Sequence, residues 1–248
     1  MGQGQATPMV AVRWSDAQYY RSKRLDPSIL TSRQSDQTSL DSPIRAVILD
    51  FGEVISQPPD PEAIAVMAAM FNLPEGPFRL LYSAHRIPYD RGDMSAHEYW
   101  AIVAHSAGVE LSAAQVQQLR ETDIAMWSRL NLSVLRWADQ LRLAGFQTAV
   151  LSNMHDDMVQ YLAKDAGWAA RFNCLTLSSA IHTAKPEAAI FEHCLQCLQV
   201  APQEALFVDD REVNVRAAQA LGMRGIVANS PAELRSQLGA IGFTPLPE

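Results

Sequence analysis

The stretch Arg45-Ala46-Val47-Ile48-Leu49-Asp50-Phe51-Gly52-Glu53-Val54-Ile55 decides the fold. An apolar run ends on a carboxylate, and a glycine follows two residues later. A buried strand that delivers a reactive group at its C-terminal end and then turns is how open α/β sheets present their chemistry. Three later partners follow in order: Ser152-Asn153 after the apolar run Val150-Leu151, Lys185 before Pro186, and Asp209-Asp210 after the apolar run Leu206-Phe207-Val208.

Working outward from Asp50, residues 44–50 read as a buried strand. The region from Pro58 to about Leu132 reads as helices over 61–71, 78–84, 95–106 and 112–130, without a strand. Pro61 suits a first helical turn, and Ser95 with Glu98 fits a capping box. From Ser133 onward helices and short apolar strands alternate, with strands at 147–151, 172–177, 205–208 and 225–228. Helices are expected at 133–143, 156–166, 186–198, 213–221 and 231–238. Such alternation implies a parallel sheet covered on both faces. The fold class is therefore α/β, a Rossmann-like parallel sheet core with an inserted all-helical cap. The core takes 44–56 and 133–248, and the cap takes 57–132. Residues 1–43 are polar and aperiodic, mildly basic through Arg13, Arg21, Lys23, Arg24 and Arg33, and read as a flexible tail.

The chain has 248 residues and is 48% hydrophobic, enough for a sizeable core. A net charge of −7 argues against nonspecific nucleic-acid binding, which needs basic surface. No apolar run approaches the length that spans a bilayer, and the N-terminus lacks an uninterrupted apolar signal region. Cys174, Cys194 and Cys197 are too few, and odd in number, for a disulfide framework. They point to a reducing cytoplasmic setting, with Cys194 and Cys197 as small buried apolar side chains.

An acid, a hydroxyl, an amine and two further acids at strand ends suit a metal-and-phosphate site. Asp50 can act as a nucleophile, splitting one hard step into two. Asp209 and Asp210 repel each other unless a cation sits between them. A hard cation such as Mg²⁺ takes carboxylate oxygens, with Asp50 and the carbonyl of Gly52 completing the set. Asn214 can hold an acid in place from behind. Lys185 can hold nucleophile and phosphoryl oxygens together as charge spreads. Ser152 and Asn153 offer an anion seat. Blander readings exist for each: Ser152 as an N-cap, the Asp pair as helix capping, and Lys185 as a solvated loop residue. His155 reads as a surface helix residue. Trp100 and Trp127 either line the underside of the cap or pack in a core.

Together, Asp50-Phe51-Gly52-Glu53-Val54, Leu151-Ser152-Asn153, Lys185-Pro186-Glu187 and Phe207-Val208-Asp209-Asp210 with Asn214 resemble the four motifs of the haloacid dehalogenase-like hydrolases. The resemblance covers about 44–248. With Arg91-Gly92-Asp93-Met94-Ser95, it looks most like the branch holding the soluble-epoxide-hydrolase N-terminal phosphatases and the glucose-1-phosphate phosphatases. It implies a Mg²⁺-dependent hydrolase of small phosphorylated metabolites. Asp50 and Lys185 would be catalytic, and Ser152, Asn153 and Lys185 would bind the phosphoryl group. Most phosphatases of that family carry a proton-transferring Asp where this chain has Gly52, and the side chain of Glu53 should project differently. That departure keeps open a non-catalytic binding or regulatory protein. A metal-independent 2-haloacid dehalogenase is the other alternative, which paired acids fit poorly.

Overall fold

The computed structural model describes residues 43–165 and 167–247, so the reading of 1–43 as a tail falls, Pro43 apart, outside the described residues. Five parallel strands form one sheet: β1 (Ala46–Leu49), β2 (Gln147–Ser152), β3 (Cys174–Leu177), β4 (Ala205–Asp209) and β5 (Arg224–Val227), in the spatial order β3-β2-β1-β4-β5. β1 is the central strand, and all four of its residues are fully buried. Burial on both faces explains why its sequence is a continuous apolar run rather than an alternation. One face carries Ala46, Ile48, Ala149, Leu151 and Phe207 and packs against Ile190, Phe191, Cys194, Val215 and Ala218 from two helices, α9 (Ala188–Leu198) and α10 (Glu212–Ala220). Across the other side lie α6 (Leu132–Leu143) on β2 and α11 (Pro231–Ala240) on β5.

Between β1 and α6 come five helices: α1 (Pro61–Met70), α2 (Glu75–Ala84), α3 (Arg86–Asp90), α4 (Ala96–Ala107) and α5 (Ala113–Trp127). They enclose a core of their own, built from Ile64, Met67, Phe71, Phe78, Tyr99, Trp100, Val103 and Leu119. Pro61 occupies the first turn of α1 behind the N-cap Asp60. The Ser95–Glu98 capping box is present at α4, with Glu98 Oε2 accepting from Ser95 N at 2.7 Å. The insert enters and leaves through adjacent chain segments. Ser56 and Leu130 form an isolated antiparallel bridge, and Asn131 N donates to Ile55 O at 2.7 Å. That short pairing is the extended structure the helical reading of this region passed over.

Three local departures from the sequence reading bear on the site. The helix expected to start at Pro186 starts at Ala188, because Glu187 takes the extended N-cap conformation. A short helix, α8 (Ser178–Ile181), directly follows β3. The helix α7 (Asp156–Leu162) is capped by His155, whose Nδ1 accepts from Met158 N, so Ser152 is the last residue of β2 and not a cap.

The cysteines also differ from expectation. Cys174 on β3 and Cys197 on α9 form a disulfide with Cα atoms 6.2 Å apart, within the usual span of such bridges. Cys194 stays a buried thiol, its pKa pushed up to about 12 by burial. An odd cysteine count says nothing about which pair the fold brings together. The bridge joins residues 23 apart in sequence, a loop whose closure constrains the unfolded chain by about 3 kcal/mol. Reduction with dithiothreitol should therefore lower the melting temperature by roughly 10 °C in a thermal scan. A Cys197→Ser variant should melt at the reduced value and be insensitive to the reductant.

Candidate active site

Strand register assembles the site. β1 pairs with β4 so that Leu49 sits opposite Val208, and with β2 so that Leu49 sits opposite Val150. One residue further on, Asp50 N donates to Val208 O at 2.9 Å. Asp50 is thus level with Asp209, and Ser152 emerges just beyond on the other neighbouring strand. The main chain after Asp50 makes a wide helical turn, Phe51–Ile55, in which Gly52 is extended and Glu53 is left-handed at φ 56°.

Lys185 sits between the two acids. Its Nζ lies 2.7 Å from Asp50 Oδ1 and 2.6 Å from Asp209 Oδ2, with its side chain 1% exposed. The solvated-loop reading of this lysine is therefore wrong. Two main-chain bonds fix its position: Lys185 N donates to Asn153 Oδ1 at 2.7 Å, and Asn153 Nδ2 donates to Lys185 O at 2.9 Å. Asn153 thus tethers the lysine loop to the end of β2, a role beyond the anion seat expected of it. Asn214 holds Asp209 as anticipated, its Nδ2 lying 3.1 Å from both carboxylate oxygens. Arg211 N donates to Asp209 Oδ1 at 2.8 Å, while Arg211 takes the N-cap position of α10 without a side-chain cap. The acid pair is therefore not a helix cap. The Ser152 hydroxyl makes a long 3.4 Å contact to Asn153 O.

Carboxylate oxygens of Asp50, Asp209 and Asp210 all lie within 4.8 Å of one another. Burial pushes Asp50 up to about 7, Lys185 pulls against that, and Asp209 adds to it. Burial, then Asp209 and Glu53, push Asp210 up to about 6. Burial alone would lower the Lys185 ammonium, but the charges of Asp50 and Asp209 more than reverse this and hold it above the ordinary lysine value. One ammonium does not balance this acid cluster. Beside it Asn214 Oδ1 is a buried acceptor with no donor. Hard oxygen donors, uncompensated charge and a short mutual span suit a small divalent cation such as Mg²⁺.

The roof over the site comes from the helical insert and contains a buried polar cluster that the sequence did not reveal. Asp123 of α5 accepts from Tyr82 OH at 2.5 Å and from Arg86 Nη1 at 2.9 Å, and His155 Nε2 lies 3.4 Å from it. Arg86 Nε also donates to Asp90 Oδ1 at 2.9 Å. His155 is 2% exposed and stacks on Tyr89 with ring centroids 4.4 Å apart, so its reading as a surface residue does not hold. Trp100 belongs to the insert's own core, whereas Trp127 lies over Gly52. Two arginine pairs clasp the insert to the sheet layer: Arg120 to Asp157 at 2.7 and 2.9 Å, and Arg91 to Glu187 at 3.1 Å. Arg91-Gly92-Asp93 therefore meets Lys185-Pro186-Glu187 in space. Gly92 has φ +76°, and a Cβ there would come within 3.2 Å of Ser179, so this meeting requires glycine. The i,i+4 spacing of Tyr82, Arg86 and Asp90 was a readable hint of one helical face. Asp123 and His155 join them only through tertiary packing.

A strand-end nucleophile candidate, a lysine held between acids, and a helical insert between β1 and the rest of the sheet define a class of α/β hydrolases. The chain belongs to the haloacid dehalogenase-like hydrolase family, whose sequence model matches residues 44–222. It is 35% identical over 109 residues to acyl-CoA dehydrogenase family member 10 of Mus musculus, a match covering 43% of this chain and 10% of that protein. It is 32% identical over 127 residues to phosphoglycolate phosphatase of Pectobacterium atrosepticum, covering 48% and 54%. The chain thus matches only part of these relatives' length. A HAD family enzyme from Bacteroides thetaiotaomicron, solved in complex with magnesium and inorganic phosphate, superposes with a TM-score of 0.60 at 23% identity, covering 74% of this chain and 93% of that one. Among the described residues no helix is long and apolar enough to cross a membrane.

Proposed function

We propose that this protein is a Mg²⁺-dependent phosphomonoester hydrolase that acts on a small phosphorylated metabolite through an aspartyl-phosphate on Asp50. The observation that carries the reading is the Lys185 ammonium, 2.7 Å from Asp50 and 2.6 Å from Asp209, with Asp210 completing the acid cluster. Asp50 Oδ1 is occupied by Lys185 Nζ and by Phe51 N at 2.6 Å, which leaves Oδ2 for attack on phosphorus. Lys185 orients the nucleophile and balances charge on the phosphoryl oxygens as it spreads. Ser152 and Asn153 bound the phosphoryl seat at the end of β2, and Asn214 positions Asp209. Asp50, the Gly52 carbonyl, Asp209 and Asp210 are the groups that would hold Mg²⁺. When bound, the ion neutralises charge on the phosphoryl oxygens and orients them. The insert, residues 57–132, serves as a cap whose inner face selects the substrate.

The relatives support this reading through phosphoglycolate phosphatase, and the fold neighbour through its magnesium and phosphate. The direct test is hydrolysis of p-nitrophenyl phosphate with Mg²⁺. Turnover should vanish in chelator and return with Mg²⁺. Asp50→Asn should lower kcat by about 10⁴-fold or more, as loss of a nucleophile does in other hydrolases. Metal-independent turnover equal in native and Asp50→Asn protein would overturn the proposal.

A further inference from the structure

Departure of the leaving group raises a question the acids and the lysine do not answer, namely where its proton comes from. Asp209 is tied to Lys185, Asn214 and Arg211 N. Lys185 is divided between two carboxylates. The free oxygen of Asp50, Oδ2, faces position 52, where a Cβ would stand 3.9 Å from it. Residue 52 is glycine and offers no proton. The group beyond it is Trp127, whose ring carbon Cζ3 would be 3.6 Å from the same Cβ. Trp127 has a single donor, Nε1, and that is directed away to Tyr82 OH at 3.1 Å. What stands against position 52 is therefore hydrocarbon. Glu53 is exposed, sits on left-handed backbone, and acts electrostatically on Asp210.

Resting on the aspartyl-phosphate reading above, we infer that the site takes phosphoryl groups whose leaving group departs as a stable anion, an aryl, enol or acyl oxygen, and discriminates against simple alkyl phosphates. In the first step Asp50 Oδ2 forms a bond to phosphorus as the P–O bond to the leaving group breaks. The electron pair stays on the departing oxygen, which takes its proton later from solvent. In the second step water attacks phosphorus and the bond to Asp50 breaks. The carboxylate is restored, and the proton of water passes to solvent. A phenol, with a pKa of about 10, leaves as an anion far more readily than an alcohol, whose acidity is closer to that of water at about 15.7. A positioned general acid narrows that gap by roughly 10²–10⁴, and here position 52 supplies none.

The test is kcat/KM, with Mg²⁺, for 4-nitrophenyl, phenyl and 2-phenylethyl phosphates in native, Gly52→Ala, Gly52→Asp and Asp50→Asn proteins. A Cβ at position 52 meets only ordinary van der Waals distances and its φ is −61°, so the main chain there admits a side chain. Native enzyme should lose at least about 10³-fold from the nitrophenyl to the phenylethyl ester. Gly52→Asp should raise the phenylethyl ester relative to the nitrophenyl ester about 10²-fold or more. Gly52→Ala, which adds the Cβ without the acid, should not raise the phenylethyl ester relative to the nitrophenyl ester, whatever it does to turnover of both. A native enzyme that turns over the alkyl ester within about tenfold of the nitrophenyl ester overturns the inference. A gain in Gly52→Ala equal to that in Gly52→Asp also overturns it, since the carboxyl would then not be the cause. The nucleophile reading fails separately, if Asp50→Asn keeps native activity whatever the leaving group.

Discussion

Replacing Lys185 by methionine should abolish turnover of p-nitrophenyl phosphate while leaving a protein that still binds Mg²⁺. Loss of one preorganised donor costs about 10²–10³ in kcat. Here a full charge is lost that touches Asp50 and Asp209 at 2.7 and 2.6 Å, so the decrease should reach at least 10³-fold. The fold should respond in a telling direction. Lys185 is the main influence that holds Asp50 down against burial. Without it the folded-state pKa of Asp50 rises further above the unfolded value of about 3.9. An acid with a raised folded pKa favours the protonated fold, so its cost appears as pH rises through that range and is relieved on acidification. The variant should therefore be less stable than native at pH 8, and the deficit should shrink toward pH 5. Added Mg²⁺ should shrink it too. Urea melts across that range, with and without Mg²⁺, check both. A variant within tenfold of native activity, or a deficit that grows on acidification, would contradict this account.

The second large effect lies in the roof. Asp123 is fully buried and accepts hydrogen bonds from Tyr82 and Arg86, with His155 beside it. Burial pushes its carboxyl up, but Arg86 and His155 overcome this and hold it well below the usual carboxylate range. Asp123→Asn keeps the shape and removes the charge. That leaves Arg86 with Asp90 alone, and breaking a buried ion pair from one side costs about 3–5 kcal/mol. The melting temperature should fall by roughly 10 °C or more. The sign of the pH dependence is opposite to that at Asp50. A depressed folded pKa gives stability that is complete above pH ~4 and lost as pH falls through the folded value. The native–variant difference should accordingly be largest near neutrality and narrow below pH 4. Denaturant melts of both proteins at pH 7 and pH 3 measure it. A difference under about 1 kcal/mol at pH 7 would show that the cluster does not brace the insert.

Much of the sheet was legible because a parallel strand buried on both faces writes itself as an uninterrupted apolar run. Val47-Ile48-Leu49, Ala149-Val150-Leu151 and Leu206-Phe207-Val208 all do so. Their polar ends were legible for the same reason, as Asp50, Ser152 and Asp209 break those runs at the sheet edge. That Lys185 could reach Asp50 was legible, but its main-chain tether was not, since no local pattern states that Asn153 will grip it on both sides. Neither was the roof. Its members are spread over α2, α3, α5 and the start of α7, and only Tyr82, Arg86 and Asp90 share a helical spacing. The misplaced start of α9 has a local cause: Pro186 suits a first helical turn, but the chain stays extended through Glu187. The disulfide was invisible because pairing depends on β3 and α9 lying side by side.

The ladder bond from Asp50 N to Val208 O ties Asp50 to the buried central strands of the sheet. The position of its carboxylate is thereby inherited from the central strands. Such an anchor cannot loosen on its own. On heating, activity should persist until the sheet itself gives way, and the amide of Asp50 should exchange with solvent only as slowly as those of β1.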